Sequence, residues 1–473
     1  MIRNASEGVI GIHEKNPHYF QYKGKEILLI TSAEHYGAVI NKRFDYVKYF
    51  DKLAKYGCNY TRIYPGAFNQ PKGTWMKESN MADLGENYIA PWARSDVPGF
   101  AGGGNKFDLS KWDPEYFTRL DDFLIEAAKR DIIVEICFFN CMYIKYWPLV
   151  PLQIDANING VGDCDIIDFQ TLDCEPLVRE QLRYIEKLII ETNKHNNVIY
   201  EFCDEPTLRL TNSQKAFKWV STLIDKAIEV EEKLPKKHLL AQQLEIGIDF
   251  CDDERISVIT TQYIRLNDRQ IGGVPALDSC YCYDKPIECN ETMYIMAWVT
   301  ESLIPISRLE SWDFMVHGGA AYNQLNGFFI VSNPGGDDEV NHAILQNLKN
   351  LRDFLESFDY IKMIRGDRDI VQKMSVGGHV SIMAEKGRQY ALYIHHCFPN
   401  LGRFKGSYFE PNYGNYEPVV TLAMEKGDYN VTFIDPETMK VIKETSITCD
   451  GGTVDVACPP YSLDIAVKIL AAE

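Results

Sequence analysis

The chain has 473 residues, too many for one ordinary domain, and its 45% hydrophobic and 25% charged content is that of a folded globular protein. A net charge of −18, from 49 basic and 67 acidic residues, argues against nucleic acid or an anionic membrane as partner and suits a neutral ligand such as a sugar. No apolar run approaches the roughly 20 residues of a membrane span, and residues 1–7 lack the apolar stretch of a signal peptide. The expectation is therefore a cytoplasmic protein, or a secreted one if a leader has been removed, with its 13 cysteines read as mostly reduced and buried.

In chain order, residues 8–27 read as two short strands around the turn Lys23-Gly24-Lys25. The apolar run 27–33 is strand one. Residues 43–56 place Phe44, Val47, Phe50, Leu53 and Ala54 at helical spacing, and Gly57 ends that helix. Strand two follows at 58–64, then a loop rich in Gly and Pro over 65–112, of a length that usually serves function. Asp113-Pro114 opens a helix, 132–139 is strand three, 175–195 is helical and 198–203 is strand four. A helix over 213–231, strands at 238–244 and 256–263, little periodicity over 264–284, a strand at 286–290, a helix at 306–317, a strand within 319–331 and a helix at 340–358 complete the series. Eight strand–helix units predict an α/β fold, a (β/α)8 TIM barrel over 27–365 with the hairpin of 1–26 attached. From about residue 370 short alternating runs and tight turns predict an all-β sandwich over 366–473.

The chemistry-bearing stretch is Asn197-Val198-Ile199-Tyr200-Glu201-Phe202-Cys203-Asp204-Glu205-Pro206. It is a buried-strand pattern that ends in two carboxylates and is stopped by a proline, and barrel strands end at the catalytic face. A second candidate is Lys285-Pro286-Ile287-Glu288-Cys289-Asn290-Glu291, with Glu288 and Glu301 as rivals to Glu291. Gly102-Gly103-Gly104-Asn105 lacks the strand and helix of a phosphate cradle, and Cys280, Cys282, Cys289, His395 and His396 lack zinc-site spacing, so neither metal nor organic cofactor is expected. His35, near the end of strand one, and Trp147, in an irregular segment, are candidate sugar contacts.

The first stretch resembles the Asn-Glu-Pro motif of retaining glycoside hydrolases related to the family 5 cellulases and mannanases. The second resembles the strand seven that carries their nucleophile. Tyr56-Gly57-Cys58-Asn59-Tyr60-Thr61-Arg62-Ile63 is similar to strand two of the same group, glycoside hydrolase clan A, and the opening segment with the C-terminal module is similar to its apiosidase-like branch. The resemblance implies that Glu205 is the general acid/base and Glu291 the nucleophile, about 5–5.5 Å apart in a retaining enzyme. It further implies that Arg62 keeps Glu291 ionised, that Tyr263 hydrogen-bonds it, and that Asn140 and Asp204 contact the sugar. Two positions depart from the group. Asp204 stands where Asn donates to the sugar 2-hydroxyl, and its charge is expected to raise the pKa of Glu205; Thr261 stands where a His is common. The expected function is retaining O-glycoside hydrolysis of an oligo- or polysaccharide. The alternative is a carbohydrate-binding barrel that has lost catalysis.

Overall fold

The computed structural model describes residues 2–73, 78–82, 84–206, 212–245, 247–262, 273–295, 303–366, 369–399 and 409–472. Eight parallel strands form one barrel sheet: β1 Leu29–Ala33, β2 Tyr60–Ile63, β3 Ile133–Asn140, β4 Val198–Asp204, β5 Leu239–Gln243, β6 Val258–Gln262, β7 Ile287–Ile295 and β8 Ala321–Asn326. They lie in the order β1-β8-β7-β6-β5-β4-β3-β2. The seam between β1 and β2 is closed by a side chain. Asn59 accepts from the Ile30 amide (3.1 Å) and donates to the Leu28 carbonyl (2.9 Å), supplying the hydrogen bonds that a backbone partner supplies elsewhere.

The helices follow the expected alternation. They are α1 Tyr46–Lys55, α2 Pro114–Ala128, α3 Glu175–Thr192, α4 Ser213–Glu231, α5 Gly273–Cys280, α6 Leu303–Val316 and α7 Glu339–Glu356. In α1, Tyr46, Tyr49, Phe50 and Leu53 are buried at three- and four-residue spacing, and the Asp45 side chain caps the first turn by accepting from Lys48 N. Gly57, with φ of 70°, turns the chain out of that helix into β2. Between β6 and β7 the described part of the connection holds the eight-residue α5 and a single 3-10 turn at Tyr281–Tyr283, in the stretch where periodicity is weak. Among the described residues no helix is long and apolar enough to cross a membrane.

The segment read as loop over 65–112 contains an antiparallel hairpin, Trp92–Pro98 with Asn105–Trp112, and the triple glycine sits in its turn. Its alternation was hard to read because the ladder is irregular, with register shifts after Trp92 and after Arg94. Trp92 stacks on Tyr184 of α3 with ring centroids 5.0 Å apart, which fastens the hairpin to the helix layer.

Beyond the barrel, a six-stranded antiparallel sheet faces a three-stranded one, as the alternation from residue 370 implies. The sandwich is seated on α6. Arg308 makes a two-pronged ion pair with Asp464 (2.8 and 3.1 Å), Tyr393 donates to the same carboxylate (2.6 Å), and Ser381 donates to Asp313 (2.5 Å). Trp312, fully buried, packs between Tyr393 of the sandwich (5.4 Å) and Phe354 of α7 (5.2 Å). Removing a buried tryptophan costs the burial of its atoms plus the cavity left behind. Trp312→Ala therefore loses about 3–5 kcal/mol of stability, read as a lowered urea midpoint, and Trp312→Phe loses clearly less; equal losses would show that the ring's volume is not what holds this junction.

Candidate active site

The interior of a TIM barrel is ordinarily filled by branched apolar side chains. Here the inward positions of β2, β3, β4 and β7 carry Tyr60, Arg62, Glu135, Glu201 and Glu288, all at most 2% exposed. Arg62 is the cation that organises them. Its Nε donates to Glu201 (2.7 Å), Nη1 to Glu291 (3.0 Å), and Nη2 lies 3.2 Å from Asp204. The guanidinium also stands over the rings of Tyr36 and Tyr64, 5.2 and 5.4 Å from their centroids.

Glu205 directly follows the last residue of β4, whereas Glu291, expected at the end of its strand, lies inside β7. Both adopt left-handed backbone, with φ of 47° and 48°, as does Tyr36 with 54°. Such angles strain residues other than glycine and concentrate at functional sites. At β7 the cause is visible in the register. Cys289 pairs with Tyr322 and Thr292 with Gln324, so Asn290 and Glu291 together face the single residue Asn323. The extra residue is a β-bulge, and it also explains why β7 continues past Glu291 to Ile295 rather than ending at Asn290.

The two glutamates sit in different company. Glu291 accepts from Arg62 and from the Gln262 amide (2.9 Å), and its Oε1 lies 3.1 Å from the Tyr64 oxygen, whose single proton it shares with the closer Asp204. Burial pushes its carboxyl well above the usual carboxylate range, with Asp204 and Glu205 adding to the rise, while Arg62 and the Tyr64 bond pull the other way. Arg62 favours the carboxylate, but its charge is divided among three carboxyls. Glu205 is met by the Tyr143 hydroxyl (3.2 Å) and the Cys141 thiol (3.3 Å), and its amide donates to Gln243 Oε1 (2.7 Å).

Asp204 and Asn140 join the same network. Asp204 accepts from Tyr64 (2.6 Å), Asn140 Nδ2 (2.6 Å) and Gln262 (3.3 Å). Asn140 Nδ2 also reaches the Tyr64 oxygen (2.8 Å). Arg62, Asn140, Asp204, Glu205 and Glu291 are therefore brought together. His35 stands beside them: its Nε2 is 3.1 Å from the Gln70 amide nitrogen, its ring is 5.9 Å from that of Tyr36, and burial lowers it to about 4, so it stays neutral. Trp147 packs edge-on against Phe169 (5.8 Å) in the long β3–α3 connection. Tyr263 and Glu301 lie outside the described residues. Glu288 is not at the mouth but deeper, accepting from Tyr60 (2.7 Å).

Tyr64, Gln262, Gln243, Cys141 and Tyr143 were not singled out by sequence. Tyr64 and Gln262 had a usable signal, since each follows an inward position on its strand by two residues. Among the described residues no group of three or more His, Cys, Asp or Glu is arranged to hold a metal ion.

Below the mouth, Tyr60 contacts both Glu135 and Glu288. A phenol has one proton to donate, so one of these carboxyls must itself carry a proton. Burial raises both, Glu135 far above its usual range and Glu288 to about 8, with Glu201 contributing to the rise of Glu288.

No protein-family model matches this chain, and no curated protein matches it in sequence. Solved structures match it in fold. A glycoside hydrolase superposes with a TM-score of 0.59 at 12% identity, over 98% of this chain and 97% of its own. A glycoside hydrolase family 5 protein from Bacteroides vulgatus ATCC 8482 superposes with a TM-score of 0.61 at 12% identity, over 98% of this chain and 94% of its own. The likeness is one of fold, and it extends over barrel and sandwich together.

The buried carboxyls have a consequence for stability. Between about pH 4.5 and 8 the unfolded chain gives up the Glu288 proton while the folded protein keeps it, so stability falls as pH rises through that window. Glu288→Gln stays neutral at nearly the same shape. Its urea midpoint therefore falls less steeply than that of the wild type from about pH 5 to pH 8, and parallel slopes would assign the titration elsewhere.

Proposed function

We propose that this protein is a retaining O-glycoside hydrolase in which Glu291 is the nucleophile and Glu205 the general acid/base. The observation that carries this reading is the convergence of Glu205, from the end of β4, and Glu291, from within β7, on one buried polar mouth, where Gln243 and Gln262 link them. Glu291 is met by two donors suited to a carboxylate, a guanidinium and an amide. The Glu205 carboxyl accepts from the Tyr143 hydroxyl and the Cys141 thiol, neutral donors compatible with a carboxylic acid that gives up its proton. Two solved structures that share this fold over nearly their whole length are described as glycoside hydrolases, one of family 5.

In the first step Glu205 protonates the departing glycosidic oxygen while Glu291 attacks the anomeric carbon and forms a glycosyl-enzyme. In the second, Glu205 takes a proton from water, which releases the sugar with its original anomeric configuration. Arg62, already engaged by three carboxyls, is not available to pair with a negative substrate. That supports a neutral sugar.

The two glutamates are separated by rescue chemistry. Glu291→Ala abolishes turnover on every glycoside. Glu205→Ala keeps the first step on substrates with a good leaving group such as dinitrophenolate, loses about 10²–10⁴-fold where a proton is needed, and recovers with azide to a product of retained configuration. Azide rescue of Glu291→Ala to an inverted product supports the assignment, and rescue of that variant with retention exchanges the roles. Undiminished activity in both variants would reject the mechanism at this site.

A further inference from the structure

Asn290 follows Glu288 by two residues, and Glu288 points into the barrel, where it meets Tyr60. By strand alternation Asn290 shares that face, and Glu291 in a regular strand would point outward into the helix layer. It nevertheless reaches Arg62, Tyr64 and Gln262 inside. The inward aim of Glu291 therefore depends on the bulge and on its left-handed backbone, a conformation that persists only where its surroundings enforce it.

The enforcement comes from α6. Directly after the bulge, Thr292 Oγ1 donates to Glu310 Oε2 (2.9 Å). On the partner strand, Gln324, paired with Thr292, donates to Ser307 Oγ (2.7 Å). All four residues are fully buried. Ser307 and Glu310 are three apart and share one face of the helix. Arg308 and Trp312, four apart, lie on the far side and meet Asp464 and Tyr393 of the sandwich. One helix is thus held between the C-terminal domain and the bulge that aims Glu291.

We propose that Thr292 and Glu310 are a positioning pair that holds Glu291 in its reactive orientation, and that the sandwich domain serves the site by fixing the helix that carries Glu310. This rests on the reading of Glu291 as nucleophile. Neither residue touches the reacting atoms; both act through the backbone of Glu291.

The test compares kcat and KM on an aryl glycoside, with each kcat divided by the folded fraction from circular dichroism. Thr292→Val and Thr292→Ala remove the hydroxyl at larger and smaller volume, so one serves if the other folds badly. Each is expected to lower kcat about tenfold to a hundredfold with KM within about twofold, and Thr292→Ser to recover most of the loss. Asp464→Asn, which weakens the hold of the sandwich on α6, is expected to lower kcat severalfold with KM likewise unmoved. Wild-type kcat per folded molecule in both Thr292 variants overturns the positioning pair, and wild-type kcat in Asp464→Asn overturns the part assigned to the sandwich. Glu291→Ala is run beside them: if it is fully active, the nucleophile assignment has failed, whereas an inactive Glu291→Ala with active Thr292 variants fails this inference alone.

Discussion

Arg62 is the buried charge on which the interior of this barrel depends. Its guanidinium contacts Glu201 from below and Asp204 and Glu291 from above, all within a region closed to solvent. Burying one cation among three carboxyls is costly, because each loses its hydration, and such clusters rarely add stability over an apolar core. Taking the cation away is worse, since it leaves several carboxyls with no compensating charge. At Glu291, Arg62 offsets part of the rise that burial and the neighbouring carboxyls impose, in a dry site where each donor counts for more than in water.

The deeper carboxyls complete that division. Glu135 and Glu288 share Tyr60 and are held toward their neutral forms by burial. Their protons relieve the excess of negative charge that one arginine cannot balance. The lower layer of the barrel is thus held toward neutrality by burial, while the carboxyls above it also meet Arg62, which lies at the boundary. The same side-chain type serves both, and depth and hydrogen-bond partners separate the roles.

How far this was legible in sequence follows the range of the interactions involved. The strand–helix alternation rests on local periodicity and burial, and it placed β4, the Asp204–Glu205 pair and the change to a β module at 370. The carboxylate pair at 204–205 stood out because polar residues at the end of an apolar strand are expensive and therefore informative, whereas Arg62 was found only through the resemblance of residues 56–63 to strand two of the clan. The bulge in β7 was not readable, because it depends on pairing with β8 some thirty residues onward and leaves no local mark. Gln262 and Tyr64 were passed over because an amide or a phenol on a strand is as easily a packing residue. The hairpin at 92–112 was hidden by its broken register.

The left-handed backbone at both Glu205 and Glu291 unites these points. A β-strand offers inward places only at alternate residues, and on β4 and β7 the preceding inward places are taken by residues of the barrel's own core, Glu201 on one and Glu288 on the other. On β4 Glu205 follows Glu201 by four residues and stays on the inward face, whereas on β7 Glu291 follows Glu288 by three and must break strand geometry to point inward. Glu205 takes up its left-handed backbone just past the end of β4, where Gln243 of the neighbouring β5 accepts from its amide. Glu291 does so inside a strand, which demands a bulge, and the bulge demands an anchor outside the sheet. In this molecule the anchor is a helix that also carries the second domain, so a module that contributes none of the groups described at the mouth still bears on the chemistry there.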